Sequence, residues 1–175
     1  MSNCSCNSQN DRRFEAVWQR VLPDLDPPPA GLNDQRAQPA SAMDSDEAFL
    51  RYCIDLECAD VGVCEALACR CAGTRTGRVC ACLAAENRDA VRSCQTAYLI
   101  LTGERYTTRL IRPCISSPLE ALRDQCLVES ENSRMYQEYA VTTQNAQIAR
   151  LCSCLAEKSS QNACSLERLI NQAYL

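Results

Sequence analysis

The chain has 175 residues, of which 46% are hydrophobic and 23% charged, with a formal net charge of −4 at pH 7, 15 cysteines and no histidine. This length and composition suit one sizeable globular domain, while the negative charge argues against nucleic-acid binding and no apolar run reaches the roughly 18 residues of a membrane span. Because histidine is the commonest metal ligand and general base, its absence excludes most enzyme classes, so we expect a protein that is not an enzyme.

Residues 1–44 are predicted to form an N-terminal arm that carries Cys4 and Cys6. Its first residues contain no apolar signal-peptide core, so we expect synthesis in the cytoplasm without a signal peptide. Apolar residues at helical spacing predict a short helix that ends before Pro23: Phe14, Val17, Trp18, Val21 and Leu22. The proline-rich residues 27–31 then predict a stiff linker.

Two long helices are predicted after the arm. Asp44 and Glu47 resemble a capping box and start the first helix, predicted over residues 44–72. After a short turn that contains two glycines, the second helix is predicted over residues 78–102, and it stops at Gly103. Its inward stripe is expected to continue to its last turn, at Leu101.

A third and a fourth helix complete the predicted domain. Ser117, Pro118 and Glu120 supply an N-cap, a proline at the first helical position and a reciprocal glutamate, which together predict a helix over residues 117–142. The fourth helix is predicted over residues 145–174.

The connections between these helices predict how they pack. The first and last are short, whereas residues 104–116 are numerous enough to run the length of a helix bundle. We therefore expect residues 45–175 to form an all-α, four-helix bundle of ferritin-like topology, with a long crossover between its second and third helices.

Three stretches resemble the helices of rubrerythrin-type ferritin-like proteins: residues 54–68 (IDLECADVGVCEALA), residues 83–103 (LAAENRDAVRSCQTAYLILTG) and residues 129–136. The resemblance extends over roughly residues 45–175. In that family a glutamate on the first and third helices, and a Glu-x-x-His pair on the second and fourth, hold two metal ions.

The family's metal ligands are only partly present. Glu57 and Glu129 match the single glutamates, whereas the second helix has Asn87 and Ala90, and the fourth has Ser159 and Asn162, in place of Glu and His. The resemblance therefore implies a ferritin-like fold without ferroxidase chemistry. Glu57 and Glu129 either share a proton and accept hydrogen bonds from neighbours, or form a residual single-cation site.

The cysteines recur in a C-x-C spacing, and no C-x-x-C is present. The four pairs are Cys4 and Cys6, Cys69 and Cys71, Cys80 and Cys82, and Cys152 and Cys154. Helical residues two apart point about 200° away from each other, so a helical C-x-C places one thiol in the core and the other outside.

The rise of about 1.5 Å per helical residue predicts how far along the bundle axis each cysteine lies, and therefore which thiols lie side by side. Cys64 lies near the level of Cys80, Cys126 near that of Cys164, and Cys53, Cys94 and Cys152 share another level, so these seven are candidates for intrachain disulfides. Because the number of cysteines is odd, at least one thiol either bridges to another subunit or stays reduced. Cys4 and Cys6, followed by Cys82 and Cys154, are the candidates for bonds between subunits.

Two functions are compatible with these patterns. The leading interpretation is a structural protein that needs no cofactor, self-assembles with copies of itself through its arm, and is cross-linked by disulfides. Because disulfides are uncommon in the reducing cytosol, and because the cysteine-bearing arm resembles the connector of spore-surface proteins, we expect a spore surface or fibre, or oxidation after cell lysis.

The alternative is a thiolate metal store that resembles the cysteine-lined four-helix copper storage proteins. Cys69, Cys71, Cys80 and Cys82 gather at the first helix–helix turn, where four thiolates bind Cu(I) or Zn(II) as readily as they pair.

Overall fold

The computed structural model describes residues 45–172, which form four α-helices. They are α1 (Asp46–Arg70), α2 (Arg75–Thr102), α3 (Pro118–Thr142) and α4 (Ala146–Gln172). The all-α prediction with four long helices is therefore confirmed. The predicted arm, with Cys4, Cys6 and the Trp18 helix, lies outside the described residues.

Two helix ends follow the local signals in the sequence. The Ser117 hydroxyl caps α3 by accepting a 3.4 Å hydrogen bond from the Glu120 amide, with Pro118 at the first helical position. Gly103 ends α2 in the left-handed conformation, with φ of 76°, which an L side chain rarely adopts.

Two other helix starts differ from the prediction. The cap of α1 is Ser45 rather than Asp44, because the Ser45 hydroxyl accepts a 3.2 Å hydrogen bond from the Ala48 amide. Helix α2 begins at Arg75, three residues earlier than predicted, because the Thr74 hydroxyl accepts a 3.1 Å hydrogen bond from the Gly77 amide.

The four helices pack as two antiparallel hairpins, α1 with α2 and α3 with α4. At one end of the bundle, Asp46 at the start of α1 accepts hydrogen bonds from Tyr139 (2.8 Å) and Thr143 (2.7 Å) at the end of α3. Helices α1 and α3 are therefore antiparallel, and the connection over residues 103–117 runs the length of the bundle. None of the helices within residues 45–172 is long and apolar enough to cross a membrane.

This crossover lies directly against α1. The Tyr106 hydroxyl donates a 2.9 Å hydrogen bond to Asp55, and further along the Ile111 carbonyl approaches Gly62. A Cβ atom at Gly62 would lie 1.9 Å from that carbonyl oxygen. Glycine is therefore required at this position by the close approach of two backbone segments.

A buried carboxylate joins the crossover to both helices of the first hairpin. Glu65 of α1 accepts hydrogen bonds from Arg88 of α2 and from Arg112 of the crossover. Because Glu65 is buried while both arginines are partly exposed, its charge is paired without complete burial of the cations.

Apolar side chains form two core clusters, one towards each end of the bundle. The first lies near the start of α1 and includes Phe49, Ile54, Tyr98 and Leu155; the second lies near the α1–α2 turn and includes Leu67, Leu83, Leu122 and Leu166. Leu101, expected to face inward, is instead 41% exposed. Leu101 lies at the end of the bundle, where it lines a surface pocket with the polar first residues of α1, Asp46 and Glu47, rather than the apolar core.

Candidate functional site

A layer of buried polar side chains separates the two apolar clusters. We call these residues the polar layer; each is at most 5% exposed, and they are Glu57, Asp60, Asn87, Glu129, Asn132, Ser159 and Asn162. The sequence pattern had placed five of the seven at this level, but not Asp60 and Asn132. Every helix contributes at least one polar side chain to this layer.

Two asparagine amides bind Glu129 in this layer. Glu129 Oε1 accepts hydrogen bonds from Asn87 Nδ2 (3.3 Å) and from Asn162 Nδ2 (3.2 Å). Asn162 Nδ2 also donates to Asn87 Oδ1, at 3.0 Å, so the two amides are bonded to each other. Burial and the nearby Asp60 carboxylate raise the pKa of Glu129 to about 7, although the amide hydrogen bonds oppose the rise.

Glu57 has a different partner. Its Oε1 accepts a 2.7 Å hydrogen bond from the Tyr136 hydroxyl. Burial, followed by the charge of Asp60, holds the pKa of Glu57 well above its ordinary value, although the bond from Tyr136 acts in the opposite direction. Glu129 adds a smaller repulsion, so Glu57 and Glu129 interact as facing acids.

Asp60 is the buried acid that the sequence reasoning missed. Its Oδ2 accepts a 2.9 Å hydrogen bond from Asn132 Nδ2, and only 1% of its surface is exposed. The signal was present, since Asp60 follows Glu57 by three residues and therefore shares its helix face. The neighbouring Val61 is buried as well.

The polar layer does not fit the two-metal centre of rubrerythrin-type proteins, whose loss the sequence predicts. Asn87 and Asn162 direct amide N–H groups at the Glu129 oxygen that a metal ion would need as a ligand. Within residues 45–172, no group of three or more Cys, Asp or Glu side chains is arranged to hold a metal ion. A residual cation between Glu57 and Glu129 stays a prediction from the sequence.

Five cysteines are buried and are called here the core cysteines: Cys53, Cys64, Cys80, Cys94 and Cys152. The structure brings together the thiols that were predicted to lie side by side from their positions along the helices. Cys53, Cys94 and Cys152 interact electrostatically with one another, and Cys64 interacts with Cys80. Burial raises the pKa of Cys80 to about 11 and that of Cys152 to about 12, and it raises the pKa values of Cys53 and Cys64 as well.

The third predicted pair lies nearer the surface. Cys126 of α3 is half-buried, Cys164 of α4 is exposed, and the two interact electrostatically. Burial is the main cause of the raised pKa of Cys126. No disulfide joins cysteines within residues 45–172 of this structure.

Five further cysteines are exposed and are called here the surface cysteines: Cys69, Cys82, Cys114, Cys154 and Cys164. In two helical C-x-C pairs the first thiol is buried and the second exposed, as the geometry of a helix predicts: Cys80 with Cys82, and Cys152 with Cys154. The pair of Cys69 and Cys71 differs, because Cys71 is the C-cap of α1 and is only half-buried.

The four thiols predicted as a Cu(I) or Zn(II) site lie around the α1–α2 turn. Cys71 and Cys80 interact electrostatically, whereas Cys69 and Cys82 are exposed. They are not among any group of three or more possible ligands within the described part of the chain. The thiolate site therefore stays a prediction based on spacing.

Comparisons with models of protein families, with curated proteins and with solved structures found no match.

Proposed function

We propose that this protein is a non-enzymatic structural subunit that self-assembles with copies of itself and is cross-linked by disulfides through exposed cysteines. The observation that carries the proposal is the division of two helical C-x-C pairs into one buried and one exposed thiol. Cys80 and Cys152 fill the core as small apolar side chains. Cys82 and Cys154 are accessible to another molecule, and a thiol must be accessible to bond to a neighbour.

In this proposal the bundle is ferritin-like and has lost its metal chemistry. The antiparallel arrangement of α1 and α3, and a crossover that spans the bundle, support the likeness. The bonded amides of Asn87 and Asn162 support the loss, because they occupy positions of metal ligands in that family. The polar layer then joins the four helices by hydrogen bonds.

The surface cysteines lie on several sides of the bundle, which suits links to more than one neighbour. Cys82 lines a groove between α2 and α4, beside Arg78 and Glu86. Cys154 is on α4, and Cys69 is near the end of α1. The arm's Cys4 and Cys6 supply further thiols, as the sequence predicts. A spore surface or fibre, or release by lysis, would provide oxidising surroundings.

Oxidation of the purified full-length chain tests this proposal. The reduced protein is treated with a small-molecule disulfide and run on a denaturing gel with and without reductant, and its mass is measured by light scattering. We expect a ladder of multiples that collapses to the monomer on reduction. The combined variant of C4S, C6S, C82S and C154S should lose most of the ladder.

A matched control separates position from thiol number. Cys58 is a half-buried thiol on α1, so C58S removes a cysteine without removing a surface cysteine. We expect C58S to give the ladder of the parent chain. A parent chain that stays monomeric after oxidation would overturn the proposal, as would a ladder that persists unchanged when all five surface cysteines are replaced together with Cys4 and Cys6.

A further inference from the structure

Three core cysteines meet in the half of the bundle that contains the start of α1. Cys53 of α1, Cys94 of α2 and Cys152 of α4 are each 0% exposed and belong to one apolar cluster. The three thiols interact electrostatically with one another. Of the three helices that carry them, α1 and α2 form one closely packed hairpin, whereas α4 has few close backbone contacts with α2.

The packing of α1 against α2 places these two residues opposite each other. Arg51 donates a 2.9 Å hydrogen bond to the Tyr98 hydroxyl on one side of the pair, and Glu65 binds Arg88 on the other. Cys53 and Cys94 lie between these contacts in the same antiparallel register. A disulfide requires Cα atoms within about 7 Å of each other, and the closely packed α1–α2 hairpin is the part of the bundle that can bring the backbones of these residues to that distance.

Side chains beside Cys94 favour a close approach of the helices. Ala90 and Ala97 lie one turn before and after Cys94 on the same face of α2, and both belong to or pack against the same cluster. Because both alanines are small, they allow α1 to approach α2 closely at the level of Cys94.

We propose that Cys53 and Cys94 form an intrachain disulfide when the chain folds under oxidising conditions, and that Cys152 remains a thiol beside it. The oxidant we name is a small-molecule disulfide such as oxidised glutathione. One protein thiolate attacks it, forming a mixed disulfide and releasing one glutathione thiolate. The second protein thiolate then displaces the other glutathione, so two protein thiols are oxidised and one oxidant disulfide is reduced.

The fold determines when this reaction takes place. In the folded chain all three thiols are shielded from solvent, and burial raises the pKa values of Cys53 and Cys152, which lowers the amount of reactive thiolate. The bond therefore forms before the core closes, and the closed core afterwards shields it from reductants. It lies within one chain and does not depend on the proposed assembly.

Peptide mapping of the full-length chain tests the pairing. The reduced, unfolded protein is refolded in a mixture of oxidised and reduced glutathione, its remaining thiols are alkylated in denaturant, and it is cleaved after Arg and Lys and before Asp. Cys53 is then the only cysteine in residues 52–54, and Cys94 the only one in residues 93–105. We expect most Cys94 in a peptide that links these two fragments and separates on reduction.

Two variants make the assignment specific. C152A removes the third thiol and should leave the linked peptide in place, and C58S, on the same helix as Cys53, should do the same. The pairing is overturned if both fragments are recovered only as alkylated peptides, or if Cys94 is linked to residues 151–158. Neither outcome requires a variant that lacks Cys53 or Cys94 to fold.

The monomer band of a non-reducing gel is the sample to be mapped. A linked peptide in that band without any ladder would support this inference while refuting the proposed assembly. A ladder whose monomer band contains only alkylated Cys53 and Cys94 would support the proposed assembly while refuting the Cys53–Cys94 disulfide.

Discussion

Tyr136 donates a 2.7 Å hydrogen bond to Glu57 in the middle of the bundle, and neither side chain is more than 4% exposed. The bond joins α3 to α1 within a layer that also contains Asp60 and Glu129. In this layer Glu57 and Glu129 accept hydrogen bonds from uncharged donors, which are the Tyr136 hydroxyl and the amides of Asn87 and Asn162.

Replacing Tyr136 with Phe should destabilise the protein. The change leaves Glu57 buried without its hydroxyl donor, and we expect the free energy of unfolding in urea to fall by about 1–2 kcal/mol. Tyr139→Phe is the matched control on the same helix, because its hydroxyl bonds Asp46 at the partly exposed end of the bundle. An equal loss in both variants would contradict a special role for the buried bond.

Stability should decrease as the pH rises from about 4.5 to 8. Burial raises the pKa of Glu129 to about 7 and that of Glu57 well above its ordinary value, so the folded chain binds more protons than the unfolded chain across this interval. The contribution of these two acids to the free energy of unfolding is complete below the pKa of about 4.3 that glutamate has in the unfolded chain. It is lost as the pH rises through their pKa values in the folded chain.

Urea unfolding at several pH values measures this dependence. We expect E129Q to reduce the loss of stability between pH 5 and 8 by about 2–3 kcal/mol, and E57Q combined with E129Q to reduce it further. E138Q, at an exposed position on α3, should leave the slope unchanged. A parent chain that gains stability over this interval would show that the buried acids are ionised at little cost.

Gly62→Ala should loosen the crossover. An exposed helical glycine is usually improved by alanine, but here the new Cβ would lie 1.9 Å from the Ile111 carbonyl oxygen. We expect a loss of about 1–3 kcal/mol of stability and faster tryptic cleavage after the exposed Arg109 of the crossover. Ala85→Gly, exposed on α2, should weaken its helix without accelerating that cleavage. Increased stability in Gly62→Ala would refute the close contact.

Gln125→Met should stabilise the bundle. Gln125 is 2% exposed on α3, and its Nε2 atom is buried without a hydrogen-bond partner among the described residues. Methionine has a similar shape and no such donor, so we expect unfolding to require about 1 kcal/mol more. Gln137→Met makes the same change at an exposed position of α3 and should have little effect. A loss of stability in Gln125→Met would indicate that the amide is bonded in solution.

Local sequence signals predicted the helix ends that depend on a few adjacent residues. Ser117 and Pro118 start α3, and Gly103 ends α2, because each acts through its own backbone or hydroxyl group. Asp44 and Ser45 are adjacent capping residues, and the sequence alone did not distinguish them. The resemblance to ferritin-like helices also singled out Glu57, Asn87, Glu129 and Asn162, and all four are buried in the polar layer.

Contacts between segments that are distant in the chain could not be predicted from local sequence signals. The need for glycine at position 62 depends on where the Ile111 carbonyl lies, and the sequence predicts that the crossover is long but not its path. Similarly, the bond between Asn87 and Asn162 depends on side-chain orientations across two helices. Heights along the helices did group Cys53 with Cys94 and Cys152, because a helix has a fixed rise per residue.

The direction of the four helices has a consequence for any polymer of this chain. Ser45 lies at one pole of the bundle and the end of α4 at the other, about 40 Å away for a helix of this length. Cys69 and Cys82 lie towards the pole opposite Ser45. A bond from a cysteine preceding Ser45 to Cys69 or Cys82 of the next copy would be heterologous, so copies would add head to tail, in an open line unless the rotation between them closes a ring. Tension along that line would act nearly parallel to the helix axes.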